Sequence, residues 1–190
     1  MTALRPPETL TTQRLTLRAI TLADAPDIFA YASDVETTRL MTFPRHRERA
    51  EAEAEAYARR CVNCWQDGSA FPWAITNRTT GGFMGAIELR LRPPKADFGY
   101  ILLRAFWRQG FMSEAAGAVV AWAIAQPAIH RVWATCAPDN KASARVLEKA
   151  GLRPEGRLAC WEARPSLGLP AGDSLVYART RPVYDESPAA

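Results

Sequence analysis

Apolar residues recur along this chain with two alternating periods. Arg14–Ile20 (RLTLRAI) and His130–Ala137 (HRVWATCA) alternate apolar and polar, the period of a strand with one face covered. Phe71–Thr76 and Phe83–Leu91 read as two more strands, joined by NRTTGG, where Asn77 and the Gly81-Gly82 pair supply turn chemistry. RPPK at Arg92–Lys95 breaks the chain again before a fourth strand in this series, Phe98–Leu103, so the centre reads as an antiparallel meander. Helical spacing fills the gaps. Thr21 starts a helix with Asp24 at the capping-box position and Leu22, Ile28, Phe29 and Tyr31 as its apolar positions. Arg47–Gln66 is charged and alanine-rich, but Tyr57, Cys61, Val62 and Trp65 mark one amphipathic helix with a solvated face. Met112–Ala125 is apolar all round, the pattern of a helix packed along most of its length, and Gln126-Pro127 stops it. Asp139 or Asn140 caps a further helix through Lys149, and Gly151 stands at its C-terminal cap. Leu152–Ala163 and Ser174–Tyr184 are the last strand candidates, separated by a loop at Arg164–Asp173. The expectation is one mixed α/β domain of about seven strands and about four helices over residues 1–190, with residues 1–12 and 185–190 as flexible ends.

Composition narrows the function classes. The 190 residues, 48% of them hydrophobic, suffice for one sizeable core. No apolar run reaches membrane-span length and the N-terminus lacks the apolar centre of a signal peptide, so the cytosol is the expected compartment. A net charge of +4 suits an anionic small molecule, but the cations are not gathered into the stripe of a nucleic-acid binder. Four cysteines make no disulfide framework: Cys61 and Cys64 form a CxxC in a helical run without a second pair, Cys136 and Cys160 are isolated, and all four read as free thiols. With His46 and His130 the only histidines, no metal centre is expected.

One turn carries a chemical signal. Between the strand Phe98–Leu103 and the helix opening near Met112 lie Arg108, Gln109 and Gly110. A basic side chain and a flexible backbone just before a helix N-terminus suit a phosphate, because free N–H groups and the helix dipole both favour negative charge there. The same residues also suit a plain structural turn.

The pairing of WRQGFMSEA with APDNKASARVLEKAGLRPEG resembles the GNAT superfamily of acyl-CoA-dependent N-acetyltransferases, and more narrowly its RimJ/RimL-like branch. The most specific piece is the N-x-x-S-x-x-V-L-E-K-x-G run, Asn140–Gly151, and the similarity spans nearly the whole chain. The family signature (Q/R)-x-x-G-x-(G/A), whose amides hold the coenzyme A pyrophosphate, maps onto Trp107–Met112. Trp107 replaces the Gln or Arg, Arg108 stands where glycine is common, and Met112 replaces a small residue. The resemblance implies a mostly antiparallel sheet whose fourth and fifth strands, Phe98–Leu103 and His130–Ala137, splay apart. It implies acetyl-CoA as cosubstrate, bound by Ile101, Leu102, Arg108, Gln109, Gly110, Phe111, Met112, Ser113, Asn140 and Ser143, with no metal. Leu102 N–H would polarise the thioester carbonyl.

The implied reaction is attack of a primary amine on the thioester, which needs a base, oxyanion stabilisation and an acid for the thiolate. The tyrosine that many relatives place on the helix after the fifth strand is replaced by Leu147, leaving Ser143 as that helix's hydroxyl, either as the acid or as a first-turn cap. Glu88 leads the candidates for the base. Its other reading is a solvated glutamate paired with Arg90 or Arg92; Asp97, Tyr100 and His46 are weaker candidates. The acceptor is a peptide N-terminus or a small-molecule amine, bordered by the loops Asp34–His46 and Arg164–Asp173, and a homodimer is possible as in relatives. The alternative is a coenzyme A-binding regulatory domain with little turnover.

Overall fold

The structure is a computed structural model, which describes residues 4–43 and 50–181. One sheet of eight strands runs in the order β1-β2-β3-β4-β5-β6-β8-β7. Its strands are β1 (Thr9–Thr11), β2 (Leu15–Ala19), β3 (Phe71–Asn77), β4 (Phe83–Arg92), β5 (Lys95–Leu102), β6 (Arg131–Cys136), β7 (Arg153–Arg164) and β8 (Leu169–Thr180). The helices are α1 (Ala25–Ser33), α2 (Val35–Thr38), α3 (Ala50–Asp67), α4 (Phe111–Ala125) and α5 (Lys141–Lys149). Every adjacent strand pair is antiparallel except β5 and β6. The mixed, mostly antiparallel sheet is the expected one, with two additions. Thr9–Thr11, within the stretch expected to be a flexible end, pairs with Thr16–Arg18 as β1, and α2 is a single short turn capped by the Asp34 side chain on Thr37 N–H at 2.7 Å.

Period-two patterning places the two faces. Trp73, Ile75, Ile87 and Leu89 join α4 in the larger core, whereas Ala74, Ala86 and Ile101 meet α1 and α3 on the opposite face. That second core is built of small residues, Ala25, Ala32, Ala54, Ala58, Ala74 and Ala86, so two helices lie close to the sheet. Because both faces are covered, β3 is buried from Phe71 to Thr76, which is why its sequence reads as an apolar run rather than a strict alternation.

The expected loop at Arg164–Asp173 is shorter than its sequence suggests. Leu169–Asp173 belongs to β8, and the hairpin continues through the pairs Glu162↔Gly172 and Arg164↔Leu169. Register shifts between Leu158 and Glu162 and between Glu162 and Arg164 bend β7, whose Cys160 has a positive φ of 50°. Bulged pairing of this kind erases the alternation by which a strand is read from sequence.

The expected splay is present. β5 and β6 pair only at Lys95↔Arg131, Ala96↔Val132 and Asp97↔Trp133, and beyond these the strands part. Gly85, opposite Leu102, keeps β5 close against β4 at this level: a Cβ there would run into the Ile101 carbonyl oxygen and lie 2.9 Å from Leu102 Cα. Gly85→Ala should therefore destabilise the fold by about 1–3 kcal/mol, measured by denaturant unfolding, although only a methyl group is added.

Candidate active site

Where β5 and β6 part, a cleft of about 1020 Å³ opens, lined from both faces of the sheet. At one end lies the turn before α4. Gly110 adopts φ 80° as the helix N-cap, and Arg108, not a glycine, adopts φ 61°. This is the left-handed region, disfavoured for a side-chain-bearing residue. The first in-helix bond runs from Glu114 N–H to Gly110 O at 3.1 Å, so the N–H groups of Phe111, Met112 and Ser113 precede the helical ladder. Arg108, Gly110, Phe111, Met112 and Ser113 line the cleft. Gln109 does not. Its side chain donates to Ala105 O at 2.8 Å and its carbonyl accepts from Arg14 Nη1 at 3.1 Å.

Arg14 and Glu114 clamp this turn. The Glu114 carboxylate accepts from Thr12 Oγ1 at 2.6 Å, Arg14 N–H at 2.8 Å and Arg14 Nε at 2.7 Å, while the Arg14 guanidinium lies 4.3 Å over the Phe111 ring. Sequence reading missed this pair because its members stand far apart in the chain. Burial pushes the Glu114 carboxyl up, but the Thr12 and Arg14 bonds together with the Arg14 charge outweigh it and hold the group below its usual range.

Ile101 and Leu102 flank the split. Leu103 N–H bonds Met84 O at 2.9 Å, which sets the antiparallel alternation: Ile101 turns its backbone groups to β4, and Leu102 turns its own toward the cleft side. The Trp107 indole donates to Leu102 O at 2.8 Å, so this tryptophan ties the turn before α4 to the strand end.

On the far side of the split, the Asn140 side chain accepts from Ser143 N–H at 3.0 Å and caps α5; its amide nitrogen is not used in that bond. Ser143 Oγ lies 2.6 Å from Tyr100 Oη, a contact between β5 and α5 that spans the split. Cys136 also lines the cleft; burial pushes its thiol up to about 11, against an opposing hydrogen bond from Ser143. Cys61, Cys64 and Cys136 are buried free thiols and Cys160 is an exposed one.

The carboxylates Glu88, Asp97 and Glu162 differ in their surroundings. Glu88 projects on the α3 face, with Oε1 held by Arg90 at 2.6 Å and Oε2 by Arg60 at 3.0 Å, and it is not among the cleft residues. Asp97 is likewise held by Arg90 and Arg92. Glu162 lines the cleft, where its Oε2 accepts from Ser174 Oγ at 2.8 Å and from buried Arg164 at 3.2 Å, and Thr135 Oγ1 lies 3.2 Å from both carboxylate oxygens. No sequence signal marked Glu162, because its position depends on the bulges in β7. Glu36 of α2 and Arg39 and Met41 just after it also line the cleft, while His46 lies outside the described residues.

Residues 14–153 match the acetyltransferase (GNAT) domain family. The chain belongs to the GNAT family. It is 34% identical over 176 residues to YoaA of Bacillus subtilis strain 168, an uncharacterized N-acetyltransferase, covering 91% of this chain and 97% of that protein. Its fold superposes with a TM-score of 0.80 on the microcin C7 self-immunity acetyltransferase MccE in complex with acetyl-CoA and AMP, at 18% identity over 93% of this chain and 98% of that one. RimL, a ribosomal L7/L12 alpha-N-protein acetyltransferase in complex with coenzyme A, superposes at 0.79 with 22% identity, covering 91% and 98%. This GNAT protein is an acetyl-CoA-dependent N-acetyltransferase that moves an acetyl group to an amine.

The donor set fits that cosubstrate. Arg108, Lys141, Arg145 and Lys149 line the cleft beside the α4 N-terminus, and none of them enters an ion pair among the described residues. Among those residues no three His, Cys, Asp or Glu side chains gather as metal ligands, and no helix is long and apolar enough to cross a membrane.

The clamp makes a pH prediction. A carboxyl depressed in the folded state contributes stability fully above the ordinary glutamate pKa of about 4.3 and loses it as pH falls through the lower folded value. Glu114→Gln should therefore lose less stability between pH 7 and pH 3 than wild type does, as read from urea midpoints at both pH values.

Proposed function

We propose that this GNAT protein acetylates a primary amine, a peptide N-terminus or a small-molecule amine, by direct attack on the thioester through a tetrahedral intermediate. The observation that carries this reading is the cleft itself, which joins a cationic helix N-terminus at one end to a carboxylate, Glu162, at the other through the gap between β5 and β6. The phosphates sit on the Phe111, Met112 and Ser113 N–H groups with Arg108 beside them, and the Asn140 amide holds the pantetheine arm. Leu102, whose backbone groups turn to the cleft side, donates its N–H to the thioester oxygen as charge develops there. Ser143 attends the departing sulfur. The amine proton goes to Glu162, whose Oε1 has among the described residues only the long Thr135 contact, rather than to Glu88, each of whose oxygens holds an arginine.

The cleft lining mixes signs: it holds the carboxylates Glu36 and Glu162 and the guanidinium groups of Arg39 and Arg164. That lining is not the carboxylate-rich trap a polycation needs, and it favours a peptide N-terminus or a neutral small amine. RimL, an alpha-N-protein acetyltransferase by name, supports the peptide reading by analogy of fold.

Calorimetry with acetyl-CoA is the first test. Wild type should bind. Arg108→Gly should be as stable as wild type or up to about 1 kcal/mol more so, because the left-handed strain is relieved, yet bind roughly three- to tenfold more weakly for want of the charge. Folded wild-type protein with no affinity for acetyl-CoA would sink the proposed cosubstrate site.

Turnover against a panel of N-terminal peptides and small amines separates the carboxylates. Glu162→Gln should lower kcat about 100-fold or more, and Glu88→Gln less than about tenfold. The reverse order would return the role of base to Glu88. Binding without turnover across the panel would leave the regulatory, coenzyme A-binding role.

A further inference from the structure

We infer that Tyr100 is a positioning residue for the departing thiolate: its phenol holds the Ser143 hydroxyl so that Ser143 donates a hydrogen bond, not a proton, to the sulfur of coenzyme A. This rests on the cosubstrate site proposed above.

The geometry is specific. Tyr100 lies on β5 past the last residue paired with β6, so its ring borders the opened part of the sheet, and among the described residues both hydrogen-bond contacts of its hydroxyl are to Ser143: Oγ at 2.6 Å and the backbone carbonyl at 3.3 Å. Ser143 is fixed from the other side by the Asn140 cap on its N–H. Cys136 of β6, on the same side of the split as Ser143, lines the cleft as well. A phenol has one hydrogen and a serine hydroxyl has one hydrogen and two lone pairs. When the Ser143 hydrogen turns to a thiolate, its oxygen accepts from Tyr100, and the pair becomes a directed donor toward negative sulfur. The tyrosine expected on α5, where Leu147 stands instead, is thus replaced by one that reaches α5 from β5.

The electron count decides between proton and hydrogen bond. As the N–C bond forms and the C–S bond breaks, the electron pair goes to sulfur and the amine proton goes to Glu162 and then to solvent. A thiol ionises near 8.5 and a phenol near 10, and burial pushes the Tyr100 phenol higher still. Passing the phenol proton through Ser143 to sulfur is therefore uphill, while donating a hydrogen bond to the anion costs no charge transfer. Around the pair, Cys136 of β6 and Tyr177 of β8 face the phenol. Glu148 of α5 and Glu162 and Arg164 of β7 face Cys136. These groups are the same in every variant below.

Coenzyme A itself is the probe, so the acceptor need not be known. The thiolate absorbance of bound coenzyme A is titrated against pH, and the matching complex with a coenzyme A analogue lacking the thiol is subtracted to remove Cys136. In wild type the bound thiol should ionise below the pH at which free coenzyme A does. Tyr100→Phe should raise that value by about one pKa unit with coenzyme A affinity at pH 6 unchanged. Ser143→Ala should raise it at least as far, and the double variant no further than Ser143→Ala. The inference falls if Tyr100→Phe titrates as wild type, if the two effects add in full, or if the wild-type bound thiol ionises no lower than the free one. Absence of coenzyme A binding by wild type at any pH would instead remove the cosubstrate site, and the inference with it; binding with an unshifted thiol removes the inference alone.

Discussion

The cleft of this molecule depends on one strand pair that parts within an otherwise continuous sheet. β5 and β6 share three parallel pairs and then diverge, so the backbone groups of Tyr100 and Leu102 face a gap instead of a neighbouring strand. Polar backbone left without a partner is costly when buried, and the fold answers that cost locally. The Trp107 indole takes the Leu102 carbonyl, and the gap opens into a cleft. An extended ligand can then use what a missing strand would have used, while the split joins two faces of the protein that an intact sheet would have kept apart.

Holding such an opening takes rigid parts on each side. On the β4 side, Gly85 permits a backbone approach that no larger residue allows. On the α4 side, Glu114 gathers Thr12 and Arg14, and Arg14 in turn covers Phe111 and holds the Gln109 carbonyl. The turn before α4 is thus fastened to the β1–β2 connection as well as to its own helix, which gives the left-handed Arg108 surroundings that over-determine it. Across the cleft, Thr135, Ser174 and Arg164 converge on Glu162, and a buried arginine sits against the carboxylate proposed as the base.

The elements themselves were largely visible in the sequence. The strand of Arg14–Ile20, the meander, the all-apolar α4 and the capped α5 follow from periodicity and from single residues such as Asn140 and Gly110, because these are local rules of backbone and side-chain geometry. The β7–β8 hairpin was less legible. Its bulges break the alternation, so Leu169–Asp173 resembled a loop and Glu162 carried no mark. Glu88 stood out in sequence because it sat in a well-read strand, but a strand says only which face a side chain takes, not that Arg60 from a helix will meet it there.

By itself, then, the sequence determined the elements, their order, and a family signature linking a phosphate turn to the Asn140–Gly151 run. These are written in residues near one another along the chain, where spacing and geometry are the same thing. The pairing of Glu88 with Arg90, two residues on in the same strand, was open to sequence reading, but tertiary structure alone decided which groups meet across elements: Arg14 with Glu114, Tyr100 with Ser143, and Arg60 with Glu88. Those cross-element pairs depend on sheet register and helix docking, which are set by the packing of two cores and by where a strand pair fails to close.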